Sequence, residues 1–345
     1  MDGHQTKPVL ITLEYPPQVG GVANYYHSLI RALPLDCAVL DSTQLPRQWW
    51  RMIPWLYRQV KQQHYTHILV GQVLPLGTVA LVIHWLLGTP YIVFTHGMDM
   101  LVPQRYPRKR WLLRRILRQA YRVVTVSSFT AQAIKTFEPK TAPVTVIHPA
   151  AAITPMTTIQ SVAGLPEQFI LSVGRLVERK GFDQVVKSLS QFPELQYVLA
   201  GDGVDQARLQ QIAQQAGATD RVHFYQHLSD QQIAYLYQHC LFLVMPSRQL
   251  ADGDVEGFGI VVLEANRFGK VAIGGQAGGM SDAIQHEHTG LLVDGTSSKE
   301  LVDAIKKMLN VDYRANLEQQ AKQYSESQTW EYAARQLLAI VDDNG

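Results

Sequence analysis

The amino-acid sequence predicts an α/β protein built from two parallel sheets in tandem. Three observations carry that reading. Short apolar runs of strand character alternate with longer stretches of helical periodicity along the chain, a pattern produced by parallel sheets covered by helices on both faces. The alternation pauses once, at residues 148–155, where Pro149 and Pro155 flank an Ala-rich stretch, and then begins afresh. The 345 residues exceed the roughly 100–200 expected of one domain.

In the first series the strands are expected at 9–13, 38–40, 68–70, 91–94, 123–126 and 144–147, with helices at 23–33 and 77–87. In the second the strands fall at 169–173, 197–200, 222–224, 241–245, 271–274 and 290–293. Helices intervene at 182–190, 205–216, 229–238, 260–268 and 299–310. The tail, 325–341, reads as one amphipathic helix through Trp330, Leu337, Leu338 and Ile340. Ligands of open α/β sheets sit at the carboxyl ends of the strands, so residues just after strands are the functional candidates, and two such units in tandem are expected to face a cleft.

Composition narrows the classes. Hydrophobic residues make up 46% and charged residues 17%, which is core-rich and not disordered. A net charge of +2 gives no global pull toward nucleic acid. The two cysteines, Cys37 and Cys240, lie far apart in apolar runs and read as buried small hydrophobes in a reducing compartment. No secretory signal is expected, because residues 1–7 are polar and the apolar run at 8–13 is short. Residues 62–98 carry no Asp, Glu, Lys or Arg. Pro75, Gly77, Gly88 and Pro90 nevertheless cut the stretch into strand, helix and strand, so a membrane span is not expected.

Four constellations follow strands. The first loop holds Pro16-Pro17-Gln18-Val19-Gly20-Gly21-Val22. Its glycines allow close backbone approach at a helix start that favours anions; a Gly pair is also simply a tight turn. The second is Thr95-His96-Gly97-Met98-Asp99, which places a histidine at the sheet edge, either functional or a loop residue. The third is Gly174-Arg175-Leu176-Val177-Glu178-Arg179-Lys180-Gly181. There Arg175 and Lys180 can meet the growing negative charge of a diphosphate leaving group. The fourth, residues 254–265, puts Glu256 in a Gly-rich loop and Glu264 about one turn into the next helix. The amides of Gly259 and Ile260 are expected at the helix start, suited to phosphate, and both carboxylates can accept from sugar hydroxyls.

Taken together, Gly20 with Gly21, Arg175 with Lys180, and Glu256 followed by Glu264 resemble the family 4 retaining glycosyltransferases of GT-B fold. The resemblance spans nearly the whole chain and is most specific over residues 169–293. It implies two Rossmann-like domains. Residues 1–150 would bind the acceptor, 151–324 the nucleotide sugar, and 325–345 would form a helix crossing back to the first domain. It further implies that Glu256 contacts the donor sugar, Glu264 the ribose, and Arg175 and Lys180 the diphosphate. His96 would lie beside the reacting sugar, Gly21 would face the diphosphate, and Phe258, Gly259 and Ile260 would complete the donor site. The expected reaction moves a hexosyl group from a nucleotide-diphosphate sugar, with GDP-mannose favoured over a UDP-hexose. The expected acceptor is a glycolipid or a polyprenyl-linked or polysaccharide chain. The cations replace a metal, and no cofactor or metal is expected; Asp252 and Asp254 form only a superficial acidic pair. A non-catalytic nucleotide-sugar-binding protein is the alternative. An NAD-dependent dehydrogenase is disfavoured because the first loop lacks GxGxxG.

One further stretch is basic. Arg108, Lys109, Arg110, Arg114 and Arg115 cluster after Pro107, and Trp49 and Trp50 add interfacial aromatics. These point to peripheral docking of a cytoplasmic protein on an anionic membrane face, on the acceptor side. An ordinary surface helix with a buried Leu/Ile stripe is the other reading. No nucleic-acid module is recognisable.

Overall fold

The computed structural model describes residues 6–18, 20–155 and 158–343. Val19 of the first glycine loop lies outside the described residues. The chain forms two compact units, one made of Met1–Pro149 with Trp330–Gly345, the other of Ala150–Thr329.

The first unit runs β1 (Pro8–Ile11), α1 (Gly21–Ala32), β2 (Ala38–Leu40), α2 (Trp49–Gln63), β3 (His67–Val70), α3 (Leu76–Leu87), β4 (Tyr91–Thr95), α4 (Met98–Leu101), α5 (Pro107–Gln119), β5 (Arg122–Thr125), α6 (Ser128–Phe137) and β6 (Val144–Val146). Its strands pair in parallel in the order β2-β1-β3-β4-β5-β6. β1, β3 and β4 are buried along their whole length, as strands covered by helices on both faces must be. Their Val and Ile side chains pack with Met52, Leu56 and Val60 of α2 and with Leu113, Ile116 and Leu117 of α5 in one core.

The second unit runs β7 (Phe169–Val173), α7 (Phe182–Ser188), β8 (Gln196–Ala200), α8 (Gln206–Gln215), β9 (Val222–Tyr225), α9 (Asp230–His239), β10 (Leu243–Met245), α10 (Ile260–Arg267), β11 (Ala272–Gly275), α11 (Met280–Ala283), β12 (Gly290–Val293), α12 (Ser298–Leu309) and α13 (Val311–Ser327). This sheet is also parallel, in the order β12-β11-β10-β7-β8-β9.

The tail helix expected over 325–341 starts later, at Trp330, because residues 325–327 end a separate helix, α13. α13 ends at Ser327, where Gln328 takes an extended backbone and caps the helix by donating its N–H to the Tyr324 and Ser325 carbonyls. Ser325 is tied by its hydroxyl to the Leu263 carbonyl at 2.7 Å, inside the second unit. The last helix, α14 (Trp330–Asp342), belongs to the first unit. It buries Ala333, Ala334, Leu337, Ile340 and Val341, and the Trp330 ring meets Tyr25 of α1 edge to face at 5.7 Å.

Candidate active site

In the second sheet, β8 and β9 extend from one side of β7, and β10, β11 and β12 from the other. The strand order therefore reverses between β7 and β10, the point at which the connections leaving the carboxyl ends diverge and leave room for a ligand. The loop after β7 carries Arg175, Arg179 and Lys180; the loop after β10 carries Asp254 and Glu256.

These two loops are bound to each other by charge. Lys180 Nζ lies 2.5 Å and Arg179 Nη1 2.8 Å from Glu256 Oε2, and Arg179 Nε lies 3.1 Å from Asp254. The Arg248 amide donates to the Arg179 carbonyl at 2.8 Å, and the Arg248 guanidinium reaches Asp183 at 3.0 Å. Arg179, Lys180 and Asp183 are buried. Gly181, between Lys180 and α7, is left-handed (φ 72°), and a Cβ there would lie 2.1 Å from the Pro246 carbonyl oxygen. The close approach of the two loops thus requires glycine at that position.

Electrostatics follow from this packing. Burial alone would raise the Glu256 carboxyl, but Lys180 and Arg179 outweigh it and hold its pKa down at about 2. Burial lowers the Lys180 ammonium, Glu256 raises it in part, and Arg179 and Arg175 lower it further. For Arg179 the attraction of Glu256 and Asp254 overcomes desolvation and raises its pKa. Arg175 is exposed and makes no ion pair among the described residues, yet its charge reaches Lys180.

α10 begins where the second loop ends. Gly259 takes φ 97° at its N-cap with no side-chain cap, and no acidic residue occupies the first turn. The amides at Gly259 and Ile260 are thus presented at a helix start, and Phe258, which precedes them, is buried. Glu264, one turn on, is buried. Its Oε1 accepts from the Ile153 amide at 3.3 Å and its Oε2 from the Tyr237 hydroxyl at 2.8 Å. Burial raises its pKa to about 7 against the pull of those donors.

The first sheet reverses between β1 and β3. The Gly71 amide donates to the Ile11 carbonyl at 2.8 Å. Gln72 accepts from the Leu13 amide at 2.9 Å and donates to Thr12 Oγ1 at 3.3 Å. Gly20 and Gly21 open α1 at this edge. Gly20 is extended, and a Cβ at either glycine would meet nothing within 4 Å. Neither a left-handed backbone nor packing within the protein explains the pair.

His96 follows β4 and sits between two tyrosine edges, its ring 5.2 Å from those of Tyr25 and Tyr26. The Tyr26 hydroxyl lies 2.7 Å from His96 Nε2. The His96 amide donates to Asp99 Oδ1 at 2.9 Å, while Asp99 Oδ2 and Thr95 Oγ1 are buried without a partner among the described residues. Burial pushes His96 down to about 3 and Asp99 up to about 6, the latter opposed by backbone amides including that of His96.

The structure therefore joins Lys180 to Glu256, keeps Arg175 at the rim, and gives Glu264 a separate pair of partners. Arg179 and Asp254 belong to the cluster although the sequence offered them only as flanking charges. Their signal was position after a strand beside Lys180 and Glu256. The Asp252/Asp254 pair is divided: Asp254 faces Arg179, while Asp252 accepts from the Asp254 amide at 2.9 Å.

Comparison with known proteins now decides the family. A family model described as "Glycosyl transferases group 1" matches residues 158–327, and one described as "Glycosyl transferase 4-like domain" matches residues 3–150. The chain belongs to the group 1 glycosyltransferases. A GDP-mannose-dependent alpha-(1-6)-phosphatidylinositol monomannoside mannosyltransferase of Mycobacterium tuberculosis is 34% identical over 145 residues. That alignment covers 41% of this chain and 38% of the relative, so it spans less than half of the relative's length. A GDP-mannose-dependent monoacylated alpha-(1-6)-phosphatidylinositol monomannoside mannosyltransferase of Corynebacterium glutamicum is 25% identical over 97% of both chains. Among solved structures, sucrose-phosphate synthase from Thermosynechococcus elongatus superposes with a TM-score of 0.78 at 22% identity, over 97% of this chain and 98% of that one. Anabaena HepE in complex with UDP gives 0.79 at 17%, over 97% and 99%. At such identities the structures establish the GT-B fold.

On this glycosyltransferase the basic segment is α5. Leu113, Ile116 and Leu117 form its buried stripe. Arg114 and Arg118 lie 3.6 and 2.9 Å from the buried carboxylate of Glu138. Arg110 and Arg114 lie over the Phe137 ring, Lys109 over Tyr106, and Arg115 over Trp85. Arg108, Lys109, Arg110 and Arg115 are exposed, as are Trp111, Trp85, Trp49 and Trp50. No helix of the described residues is long and apolar enough to cross a membrane.

Proposed function

We propose that this glycosyltransferase transfers a mannosyl group from GDP-mannose to a glycolipid acceptor, with retention at the anomeric carbon. The observation that carries the reading is the meeting of Lys180, Arg179 and Glu256 at the strand-order reversal of the second sheet. Breaking the glycosidic phosphate bond sends an electron pair to the diphosphate and leaves oxocarbenium-like charge on the sugar. Fixed cations beside the leaving group stabilise that developing charge.

In this reading Arg175 and Lys180 hold the diphosphate, together with the amides at Gly259 and Ile260, and Gly20 and Gly21 admit its close approach. Glu256 is held ionised by its two cations and accepts from sugar hydroxyls; Glu264 accepts from the ribose. His96, uncharged at neutral pH, contacts the reacting sugar without acting as a base. The unit of residues 150–329 takes the donor and the other unit the acceptor. The cations do the work that a metal does elsewhere. The names of the Mycobacterium and Corynebacterium relatives support GDP-mannose and a lipid-linked acceptor. The exposed tryptophans and the remaining cations near α5 support docking of a cytoplasmic protein on an anionic membrane face.

Thermal shift against GDP, UDP, GDP-mannose and UDP-glucose is the first test. Selective stabilisation by the guanosine compounds is expected, followed by release of GDP from GDP-mannose. Stabilisation without turnover on any acceptor lipid would make the chain a nucleotide-sugar-binding protein instead.

A further inference from the structure

Tyr26 occupies two hydrogen-bond positions at once. Its hydroxyl oxygen lies 2.6 Å from the Gly71 carbonyl oxygen and 2.7 Å from His96 Nε2. A carbonyl can only accept, and a phenol has a single proton. That proton is therefore committed to Gly71. The second bond needs a proton from the other side, and only the imidazole can supply it.

The rest of the ring follows. Burial pushes the imidazole pKa down to about 3, so at neutral pH the ring carries one proton. That proton sits on Nε2, and Nδ1 is left as a bare lone pair. Nδ1 has no partner among the described residues, while the His96 backbone amide is taken by Asp99. The ring as a whole is half-buried, unlike Tyr26.

The device is rigid at each joint. Tyr26 is fully buried on α1, with its ring edge to face with Tyr25 at 5.6 Å and Phe94 at 5.7 Å. Its own pKa is raised well above the ordinary value by burial, so the phenol proton stays. The Gly71 carbonyl is fixed as well. The Gly71 amide is bonded to Ile11, and a Cβ at Gly71 would stand 2.7 Å from the Thr12 side chain.

We infer that Tyr26 locks His96 in the Nε2–H tautomer and so makes Nδ1 an obligate hydrogen-bond acceptor for a hydroxyl of the bound sugar. Tyr26 is a positioning residue, and the selection it imposes is chemical. A group that can donate, a hydroxyl or an amine, is accepted opposite Nδ1. A fluorine, a methyl ether or a uronate carboxylate brings only lone pairs and is refused, because a site built to bond a hydroxyl rejects analogues that lack its proton. The tautomer rests on the bond geometry and the burial of the ring; its use on a sugar rests on the function proposed above.

The two parts are tested separately. In the full chain labelled with 15N-histidine, long-range proton–nitrogen correlation at neutral pH reads which ring nitrogen carries the proton. The expected result for His96 is a protonated Nε2 and an unprotonated Nδ1, with Tyr26→Phe converting this to a tautomer mixture. A protonated Nδ1 in the wild type, or an unchanged pattern in Tyr26→Phe, overturns the lock. The second arm measures GDP release from GDP-mannose. Tyr26→Phe is expected to lower kcat roughly tenfold, the scale of one hydrogen bond. His96→Asn, whose side-chain oxygen can stand where Nδ1 stood, is expected to retain more turnover than His96→Gln; the reverse order overturns the acceptor role. Absence of GDP release in the wild type would sink the donor assignment, while the nitrogen spectra still decide the tautomer.

Discussion

Lys180 Nζ stands 2.5 Å from Glu256 Oε2 although the two residues are 76 positions apart in the chain. Breaking such a pair on one side leaves an uncompensated charge in a dry place. Before any ligand arrives, therefore, Lys180 and Arg179 already orient Glu256, and a diphosphate held by Lys180 meets in Arg175 an exposed cation that gives up no ion pair among the described residues to reach it.

Arg175→Ala tests that division. The variant is expected to fold with wild-type stability, because the side chain is exposed and makes no ion pair among the described residues. Its kcat is expected to fall by about two orders of magnitude or more, as on loss of an oxyanion-hole donor. Near-normal turnover of GDP-mannose would remove Arg175 from the transition state.

Chelation gives an independent check on the leaving-group chemistry. Initial rates of GDP release in excess EDTA are expected to equal those in buffer. A rate that disappears with EDTA and returns with added divalent cation would show that cationic side chains do not suffice.

Glu264 imposes a pH dependence on stability. Its carboxyl is raised by burial to about 7 from 4.5, so the folded chain holds that proton more tightly than the unfolded chain does. The resulting stabilisation is fully present below about pH 4.5 and is lost as pH rises through 7. Urea unfolding of wild type and Glu264→Gln at pH 4.5 and 7.5 should show the wild type losing on the order of 3 kcal/mol relative to the variant, at 1.36 kcal/mol per unit. Parallel curves would mean that folding leaves the Glu264 carboxyl unshifted. Glu256, held at about 2, acts in the opposite sense, and its contribution fades only as pH falls from about 4.5 through 2.

Gly181 marks the close approach of the loop after β7 to the loop after β10. Gly181→Ala combines a left-handed backbone with a Cβ 2.1 Å from the Pro246 carbonyl oxygen. It is expected to cost about 2 kcal/mol or more and to raise KM for the donor by moving the loop that carries Glu256. Gly217→Ala serves as control. It has φ 62° but no neighbour within 4 Å of the added Cβ, so it should cost about 1 kcal/mol and leave KM unchanged.

Membrane docking is read by co-sedimentation with vesicles of phosphatidylglycerol and phosphatidylcholine. Binding at low salt is expected, weakened by added salt and by a Trp49→Ala/Trp50→Ala/Arg108→Ala variant. A chain that stays in the supernatant with anionic vesicles at low salt would leave α5 as an ordinary surface helix.

Much of this architecture could be read from the sequence, because a strand buried on both faces writes an unbroken apolar run such as Ile68 to Val70. α13 could not. Its buried positions are Leu317, Ala321 and Ser325, so its inner face is small and partly polar and leaves no hydrophobic period. α2 was read for its exposed Trp49 and Trp50 rather than for the Met52, Leu56 and Val60 stripe that fixes it as a helix. In the site, Lys180 and Glu256 stood out by position after strands. Arg179 and Asp254 did not, since loop charges ordinarily face water and only the folded chain buries this one arginine. Tyr26 gave no sign, because an aromatic residue on an amphipathic helix reads as core until the atom above its hydroxyl is known.

The return of α14 to the first unit has a consequence for biosynthesis. Tyr25 of α1 is covered in part by Trp330, so α1 awaits a partner that is synthesised much later. Residues 150–329, continuous in sequence, can complete their own sheet in the interval. An expression fragment ending at 149 would carry an open apolar surface where Leu337, Ile340 and Val341 belong, and would need a partner or a chaperone to stay in solution.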